Sequence, residues 1–169
     1  QGSFTGATKT KHGLIDAAEG GTLFLDEIGE LPLTSQAVFL RMLDSGEYYR
    51  IGETKPLKAD VRILSATNRD LQAMAQQGNF RIDLFYRLRG THICLPPLRT
   101  RKTDIPALVK HFLNGACEIT PGAMDILCAM DWPGNVRELR LTVASLTGIC
   151  SHGLITEKDI ELILGVTRE

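Results

Sequence analysis

The sequence of 169 residues predicts an α/β fold, in which a parallel sheet with flanking helices is followed by an all-helical part. Two short apolar runs, residues 22–25 and 61–66, each end in polar side chains, which is typical of buried parallel strands whose carboxyl ends meet a ligand. From about Arg99 onward, helix-capping residues and apolar residues at helical spacing replace this pattern. We therefore expect an α/β part over residues 1–98 and a helical part over residues 99–169.

Composition and charge place the chain among ordinary globular proteins. It is 43% hydrophobic and 23% charged, and its formal net charge of -1 disfavours nucleic-acid binding over the whole surface. Neither a membrane-spanning stretch nor a signal-peptide pattern is evident, so we expect a cytoplasmic protein without membrane contact. The four cysteines are widely spaced, which favours reduced thiols over a disulfide framework or a zinc site.

The chain begins with a predicted loop, a short helix and the first strand. Residues 1–11 show no helical or strand period, and their Phe4 is either part of a disordered end or an exposed anchor for a partner. Residues 12–19 predict a short helix that a Gly-Gly pair ends. The strand over residues 22–25 follows and runs directly into two acids.

A second helix and a hairpin are predicted next. Thr34 or Ser35 is expected to cap a helix that runs to about Ser45 and ends at Gly46. Residues 47–60 alternate short extended pieces with turn residues, which predicts a small hairpin. The apolar stripe of the helix is expected to consist of two pairs spaced four residues apart, Val38 with Met42 and Phe39 with Leu43.

Residues 61–66 predict the second strand, which ends at Thr67 and Asn68. Two helices are expected over residues 71–77 and 80–88, and a third strand over residues 91–95. The buried stripe of the second of these helices is predicted at Phe80, Leu84 and Leu88.

The helical part is predicted from its helix starts, at residues 104–106, 120–121, 135–138 and 156–159. Asn135 with Glu138 predicts a capping box at the third start. Thr156 with Asp159 predicts another at the fourth.

Asp26 and Glu27, at the end of the first strand, form the candidate site. Ligands of open parallel sheets bind at the carboxyl ends of the strands, so an acid pair there predicts a metal ion and a polarised water. The alternative is a strand end that carries solvated acids. Only three central strands are readable and no Gly-x-x-x-x-Gly-Lys-[Ser/Thr] loop occurs, so the chain looks like the back part of a larger nucleotide-binding domain.

Six motifs occur in order along the chain, and together they resemble the central AAA+ domain of bacterial enhancer-binding proteins, the activators of sigma-54 RNA polymerase. The resemblance covers essentially the whole chain. The motifs are GSFTGA (residues 2–7), GGTLFLDEIGELPL (20–33), VRILSATNRDL (61–71), FRIDLFYRL (80–88), LPPLRTRKTDIP (95–106) and WPGNVREL (132–139).

The resemblance implies a partial AAA+ P-loop NTPase core, a parallel sheet with flanking helices, followed by a helical lid. It also implies Mg²⁺-dependent ATP hydrolysis in a ring of identical subunits, usually a hexamer. The hydrolysis would remodel the closed complex of the sigma-54 RNA polymerase holoenzyme and so activate transcription. Contact with DNA would require a domain that is not present in this chain.

The resemblance assigns three residues to the phosphate end of the site. Asp26, as the Walker B aspartate, would hold Mg²⁺ through its water shell, and Glu27 would orient and deprotonate the attacking water. Asn68 would be the sensor I residue that reports the state of the γ-phosphate.

Three arginines are also assigned by the resemblance. Arg81 and Arg87 match the arginine fingers that act on the ATP of the neighbouring subunit, while an ion pair with Asp83 is the alternative for Arg87. Arg137 matches the sensor II arginine. A cation in the first turn of a helix is disfavoured by the helix dipole, which supports a nearby phosphate, and Glu138 offers the alternative partner.

GSFTGA resembles the loop that contacts sigma-54, with Phe4 and Thr5 as contact residues, although the commoner family form has Ala where Ser3 stands. The chain starts inside this motif and lacks the phosphate-binding loop (Walker A), so we expect the isolated chain to be inactive. The alternative function is a non-catalytic fragment that co-assembles with or inhibits AAA+ rings.

The family's usual Glu-Asn is replaced by Arg140-Leu141, and the stretch between Phe112 and Pro121 is shorter than usual, so we expect different packing in the lid.

Overall fold

The computed structural model describes residues 13–50, 52–150 and 152–165, and the chain divides into two compact units, residues 1–92 and 93–169. No helix among the described residues is long and apolar enough to cross a membrane. The first unit contains, in chain order, α1 (Leu14–Ala17), β1 (Thr22–Leu25), a 3-10 turn (Ile28–Glu30), α2 (Leu33–Ser45), β2 (Glu47–Tyr48), β3 (Leu57–Lys58), β4 (Arg62–Ser65), α3 (Leu71–Gln76) and α4 (Ile82–Leu88).

Strands β1 and β4 are neighbours and run parallel, as the sequence predicts. Phe24 pairs with Leu64 in the register, so the two side chains share one face of the sheet. They are 58% and 46% exposed, so the expectation that both strands are buried is wrong for this face. The reason is that no described element covers it, whereas the opposite face, with Leu23 and Ile63, is half-buried.

Helix α2 begins slightly earlier than expected. Its N-cap is Pro32, with no side-chain cap, and the helix starts at Leu33, so neither Thr34 nor Ser35 caps it. Gly46 ends it as predicted, in a left-handed conformation with φ 70°, and its N–H donates to the carbonyl of Met42.

The inward face of α2 follows a different stripe from the expected one. Met42 and Gln36 are buried and Phe39 and Leu43 are half-buried, but Val38 is 65% exposed. Two residues along a helix rotate the side chain by about 200°, so burial of Gln36 turns Val38 toward solvent. The stripe predicted for α4 is confirmed, because Phe80 and Leu84 are buried and Leu88 is half-buried.

Between β1 and β4, the predicted hairpin is confirmed by antiparallel pairing of β2 with β3. The third predicted strand, over residues 91–95, is wrong. Ile93 and Leu95 are 76% and 80% exposed, and no described strand pairs with this segment. A strand needs a partner for its backbone groups, so apolar alternation alone does not form one.

The second unit is helical, as predicted, and has in addition a two-residue parallel pair in which Glu118 faces Leu154 and Ile119 faces Ile155. Its elements are two 3-10 turns (Leu98–Thr100 and Lys102–Asp104), α5 (Ile105–Leu113), β5 (Glu118–Ile119), α6 (Pro121–Ala129), α7 (Asn135–Ile149), β6 (Leu154–Ile155) and α8 (Glu157–Leu164). Its core consists of Leu98, Ile105, Val109, Leu113, Ala123, Leu127, Trp132, Leu139, Val143, Leu146, Ile155 and Ile160.

Two of the predicted caps in this unit are confirmed. The Thr120 hydroxyl accepts the N–H of Ala123 at the start of α6. The Asp159 carboxylate accepts both the N–H and the hydroxyl of Thr156, at 2.7 and 2.8 Å, and these hydrogen bonds hold its pKa below the ordinary value. The starts of α6 and α8 are therefore built from the residues that the sequence indicates.

The capping box predicted at the start of α7 is only half right. The N-cap is Gly134 rather than Asn135, and the N–H of Gly134 donates to Oε2 of Glu138 at 2.7 Å. Asn135 has a left-handed φ of 54°, and its Oδ1 accepts the N–H of Leu98 at 2.8 Å. The asparagine amide therefore fixes the segment before α5 instead of capping its own helix.

Candidate functional site

Hydrogen bonds continue beyond the carboxyl ends of β1 and β4 and hold the two following segments together. Leu25 faces Ser65 in the register, the N–H of Ala66 donates to the carbonyl of Leu25 at 2.9 Å, and the N–H of Ile28 donates to that of Ala66 at 3.0 Å. Asp26 therefore lies beside the segment that leads to Asn68. The parallel register brings together what the sequence separates by about forty residues.

Asp26 and Glu27 sit in a tight turn at the carboxyl end of the sheet. Glu27 has left-handed backbone angles, φ 54° and ψ 44°, and its N–H donates to Oδ1 of Asp26 at 3.0 Å. A left-handed non-glycine residue costs about 1 kcal/mol, so the turn is maintained by the surrounding contacts. Both acidic residues are exposed, which leaves them accessible to a bound molecule.

A close approach at Gly29 fixes the second segment against the first. A Cβ at Gly29 would lie 3.0 Å from Oγ1 of Thr67 and 3.3 Å from Cβ of Arg69, so a larger residue would push these side chains aside by a few tenths of an ångström. Arg69 also pairs with Glu30, and its N–H donates to Oγ1 of Thr67. Asn68, between two anchored residues, is exposed and its amide makes no hydrogen bond within the described part of the chain.

The oxygen donors at the carboxyl end of the sheet fit a Mg²⁺ ion that a bound ligand also coordinates. Asp26, Glu27 and Asn68 offer hard oxygen donors, yet no group of three His, Cys, Asp or Glu residues converges anywhere in the described ranges. Mg²⁺ is usually bound by one or two carboxylates together with waters and substrate phosphates rather than by an all-protein cage. This end of the sheet is thus suited to a magnesium–phosphate ligand and poorly suited to a bare metal ion.

Arg81 and Arg87 lie at opposite ends of α4 and each is held by an acid. Arg81 is the N-cap residue, and its Nε and Nη2 donate to the two oxygens of Asp83 at 3.0 and 2.7 Å. Hydrogen bonding to Asp83 raises the pKa of Arg81, and that to Arg81 lowers the pKa of Asp83. Because both side chains are about half exposed, such a pair contributes little to stability and Asp83 is easily exchanged for another anion.

The alternative partner suggested for Arg87 is wrong. Asp83 binds Arg81, while Arg87 pairs with Asp44 at 3.2 Å and donates to the carbonyl of Leu43 at 2.8 Å. Its side chain is also half exposed, so this contact can likewise be exchanged at small cost.

Arg137 belongs to the second unit and occupies the first turn of α7. With Phe112, Val136 and Arg140 it lines a groove of about 290 Å³, and it forms no ion pair with any described residue. Glu138, the alternative partner, is occupied by the N–H of Gly134. An unpaired cation in a first helical turn, where the helix dipole is unfavourable, is suited to binding an anion.

Comparison with protein families decides the relationship. Residues 1–94 match the family described as the Sigma-54 interaction domain, and residues 99–167 match the AAA+ ATPase lid domain. The chain belongs to the sigma-54 interaction domain family.

Relatives of this sigma-54 interaction domain are regulatory proteins. The chain is 47% identical over 168 residues to the regulatory protein AtoC of Escherichia coli K12, which covers 95% of this chain and 36% of AtoC. It is 48% identical over 174 residues to the DNA-binding transcriptional regulator NtrC of Azospirillum brasilense, covering 99% of this chain and 36% of NtrC. The chain thus spans little more than a third of the length of these curated relatives.

Solved structures establish the AAA+ fold. NtrX from Brucella abortus in complex with ATP matches with a TM-score of 0.85 and 37% identity, over 96% of this chain and 40% of that one. A mutant of RuvB from Thermotoga maritima matches with a TM-score of 0.63 and 15% identity, over 87% of this chain and 45% of RuvB. At that identity the likeness to RuvB concerns the fold alone.

Two further expectations concern the interior of α7 and the residues predicted to contact sigma-54. Arg140 and Leu141 are both exposed on α7, so the expected repacking of the helix interior is wrong, and Leu139 and Val143 fill the core there instead. The predicted sigma-54 contacts, Phe4 and Thr5, lie outside the described residues.

Sequence reasoning missed Gln36, whose buried amide contacts the segment that follows the acids and the start of α4. The sequence did place Gln36 on the apolar face of the helix, because it stands three, four and seven residues before Phe39, Leu40 and Leu43. A polar residue within an apolar helical stripe is either exposed at the edge of the stripe or buried with its hydrogen bonds satisfied.

Proposed function

We propose that this chain is part of a sigma-54 activator ATPase domain, which couples ATP hydrolysis to remodelling of the closed complex of sigma-54 RNA polymerase. The observation that carries the proposal is the backbone pairing beyond β1 and β4, which sets the segment with Asp26 and Glu27 beside the segment that leads to Asn68. Membership of the sigma-54 interaction domain family and the likeness to NtrX, which was solved with ATP and with ADP, support it.

At this end of the sheet, each group has a separate task in hydrolysis. Asp26 would hold the Mg²⁺ of the bound nucleotide, and Glu27 would take a proton from the water that attacks the γ-phosphorus as ADP leaves. The metal supplies charge neutralisation on the phosphates. The amide of Asn68, which has no hydrogen bond within the described chain, donates to the γ-phosphate while it is present and loses that partner after release.

The arginines act on the negative charge of the same reaction. Arg81 and Arg87 reach the ATP of the neighbouring subunit in a ring, after exchange of their half-exposed acid partners for phosphate oxygens. Arg137, unpaired in the described chain, binds phosphate in its own subunit.

The partner proposed for this chemistry is the sigma-54 holoenzyme, contacted by the loop that carries Phe4 and Thr5. Identical subunits assemble in a ring, and DNA is bound by a separate domain. An ATPase that acts on bacterial RNA polymerase operates in the cytoplasm.

The experiment uses an AtoC hybrid in which this chain replaces the matched 168 residues. Glu27→Gln should leave ATP binding within about twofold of the unsubstituted hybrid and lower kcat by about 10²-fold or more, because a general base contributes that much. Binding is measured by fluorescence with a labelled nucleotide, and turnover by phosphate release.

Glu53→Gln is the matched control, since Glu53 is exposed, its carboxylate lies 3.9 Å from Arg50 and it has no assigned task. It should keep turnover close to that of the unsubstituted hybrid. Turnover that persists in Glu27→Gln would remove the general-base role, and an unsubstituted hybrid that neither hydrolyses ATP nor binds sigma-54 would remove the proposed function.

A further inference from the structure

A buried amide on α2 links the segment after the acids to the start of α4. Gln36 is 0% exposed. Its Nε2 donates to the carbonyl of Leu31 at 2.8 Å and lies 3.5 Å from that of Asn79, while its Oε1 accepts the N–H of Arg81 at 2.8 Å. Both ends of one side chain are thus engaged, with partners 5 and 45 residues away in sequence.

The energetics make this link rigid. A buried amide that loses one partner pays the desolvation cost of the group left unpaired, about 1–3 kcal/mol. The carbonyl of Leu31 requires a donor and the N–H of Arg81 requires an acceptor, so the amide of Gln36 has only one satisfactory orientation. The carbonyl of Leu31 lies directly beyond the turn that carries Asp26 and Glu27.

The N–H of Arg81 depends on the hydrogen bond to Gln36, because Arg81 precedes the first turn of α4. It is the N-cap of α4, with extended backbone angles of φ -74° and ψ 129° and no side-chain cap, so its N–H has no partner inside the helix. The guanidinium, in contrast, is about half exposed, and among the described residues Asp83 is the acid that holds it. The backbone of Arg81 is therefore fixed while the tip of its side chain remains exchangeable.

We propose that Gln36 positions Arg81, through the backbone, for its action on the ATP of the neighbouring subunit; this inference rests on the function proposed above. The competing explanation is that Gln36 only stabilises its own subunit, since Phe80 and Leu84 also anchor α4. The two explanations differ in which active site a substitution damages. Positioning affects the neighbour's site, whereas a structural defect affects the site of the same subunit.

The first measurement is steady-state ATP hydrolysis by the AtoC hybrid carrying Gln36→Met, which is near in size but provides neither hydrogen bond. We expect kcat to fall by about tenfold or more with KM for ATP within about twofold, because an arginine finger acts mainly in the transition state. Gln72→Met, an exposed position on α3, is the matched control and should keep kcat. A kcat unchanged in Gln36→Met would overturn the inference.

The second measurement mixes Gln36→Met subunits with Glu27→Gln subunits. In a mixed ring, a Glu27→Gln subunit still supplies a well-placed Arg81 to a neighbour whose own acids are intact. Positioning in trans therefore predicts a hydrolysis rate several-fold above the sum of the two separate preparations. A rate equal to that sum would show damage within the same subunit and would overturn the inference.

A third variant keeps the inference testable if Gln36→Met does not fold. Gln36→Glu retains an acceptor for the N–H of Arg81, and only its protonated form also donates to the carbonyl of Leu31. Burial raises the pKa of such a carboxyl, so kcat relative to the unsubstituted hybrid should rise as pH falls from 8 to 6. A relative kcat that does not change between pH 8 and 6 would count against the inference. Hydrolysis absent from the unsubstituted hybrid would instead mark failure of the proposed function, not of this inference.

Discussion

The carboxylate of Asp16 links α1 to the β2–β3 hairpin, because it accepts hydrogen bonds from the start of α1 and from the hairpin. Its carboxylate accepts the hydroxyl of Tyr48 at 2.6 Å, the N–H of Gly13 at 2.9 Å and two guanidinium nitrogens of Arg50, the shorter contact at 2.6 Å. These contacts, with the Arg50 hydrogen bonds the strongest, hold the pKa of Asp16 far below its ordinary value of 3.8. The hydrogen bond between Tyr48 and Asp16 also raises the pKa of Tyr48. The ionised carboxylate is therefore the form that the fold stabilises.

Asp16→Asn should consequently destabilise the chain in a pH-dependent manner. A carboxyl whose pKa is lowered by folding contributes stability above its unfolded pKa and loses it as pH falls toward the folded value. The difference in unfolding free energy between the two proteins should be constant from pH 7 to 5 and should narrow below about pH 4. Urea unfolding followed by circular dichroism at each pH measures it.

Asp60→Asn provides the control, because Asp60 is exposed and its carboxylate has no hydrogen bond in the described chain. Its stability difference should be small at every pH. An Asp16→Asn difference that stays the same from pH 7 to 3 would contradict the assignment of the Asp16 network as an ionic one.

At the residue scale, sequence pattern identifies some local caps, as at α6 and α8, but does not identify distant partners. Thr156 with Asp159 was predictable because both lie within one helical turn. Asn135 was assigned to the same kind of cap, but its amide binds Leu98, 37 residues away. Whether such a side chain caps its own helix or binds a distant residue depends on the tertiary fold, which the local spacing of residues does not specify.

At the scale of elements, the helices of the lid and the two parallel strands β1 and β4 could be predicted because their periods and end signals agree. The segment over residues 91–95 has a strand-like pattern as well, yet it is exposed and unpaired among the described residues. A helix satisfies its own hydrogen bonds, whereas a strand requires a neighbour, so strand predictions depend on partners that the pattern does not specify.

Helix α7 offers a matched pair of glycines for testing how its ends are built. Gly148 lies in its last turn with no heavy atom within 4 Å of an added Cβ, so Gly148→Ala should stabilise the chain by about 0.5–1 kcal/mol. At Gly134 an added Cβ would lie 2.8 Å from Cβ of Glu138 and disturb the N–H bond to that residue. Gly134→Ala should therefore destabilise the chain.

Urea unfolding monitored by Trp132 fluorescence measures both changes, since this tryptophan is buried in the same unit. Equal shifts of the two variants in the same direction would mean that the contact of Gly134 with Glu138 does not control the start of α7. The pair serves as its own control because the substitution is the same at both ends.

At the scale of the whole molecule, the candidate site was predictable only in the part that one topological rule determines. Parallel strands bring their carboxyl ends to one end of the sheet, so the sequence alone predicts that the segments after β1 and β4 lie side by side, as their hydrogen bonds show. The link from Gln36 to Arg81 spans 45 residues between two helices and follows from no such rule. Burial of a polar side chain in a helical stripe indicates that a partner exists without naming it.

The two compact units differ in the size of their cores. Of the 17 buried hydrophobic residues among those described, 12 form the cluster of the second unit, which leaves 5 in the first: Ile28, Met42, Tyr48, Phe80 and Leu84. Each buried aliphatic or aromatic side chain contributes about 1.5–3 kcal/mol. The first unit also leaves Phe24 and Leu64 exposed on its sheet. The second unit should therefore be the more stable one.

We expect this difference to separate the two units in urea unfolding of the chain. Trp132 is the only tryptophan, is buried in the second unit and donates its Nε1 proton to the carbonyl of Leu127 at 2.8 Å, so fluorescence reports that unit alone. Circular dichroism reports both units. The dichroism curve should begin to fall at a lower urea concentration than the fluorescence curve and should show two transitions.

A matched pair of substitutions assigns the two transitions. Leu84 and Leu139 are both 0% exposed, one in each unit, and a buried leucine replaced by alanine costs about 2–5 kcal/mol. Leu84→Ala should move only the earlier dichroism transition and leave the fluorescence midpoint in place, whereas Leu139→Ala should lower the fluorescence midpoint. Superimposed curves from both probes, shifted together by either substitution, would show that the chain unfolds as one cooperative unit, because a shared transition senses a cavity wherever it is made.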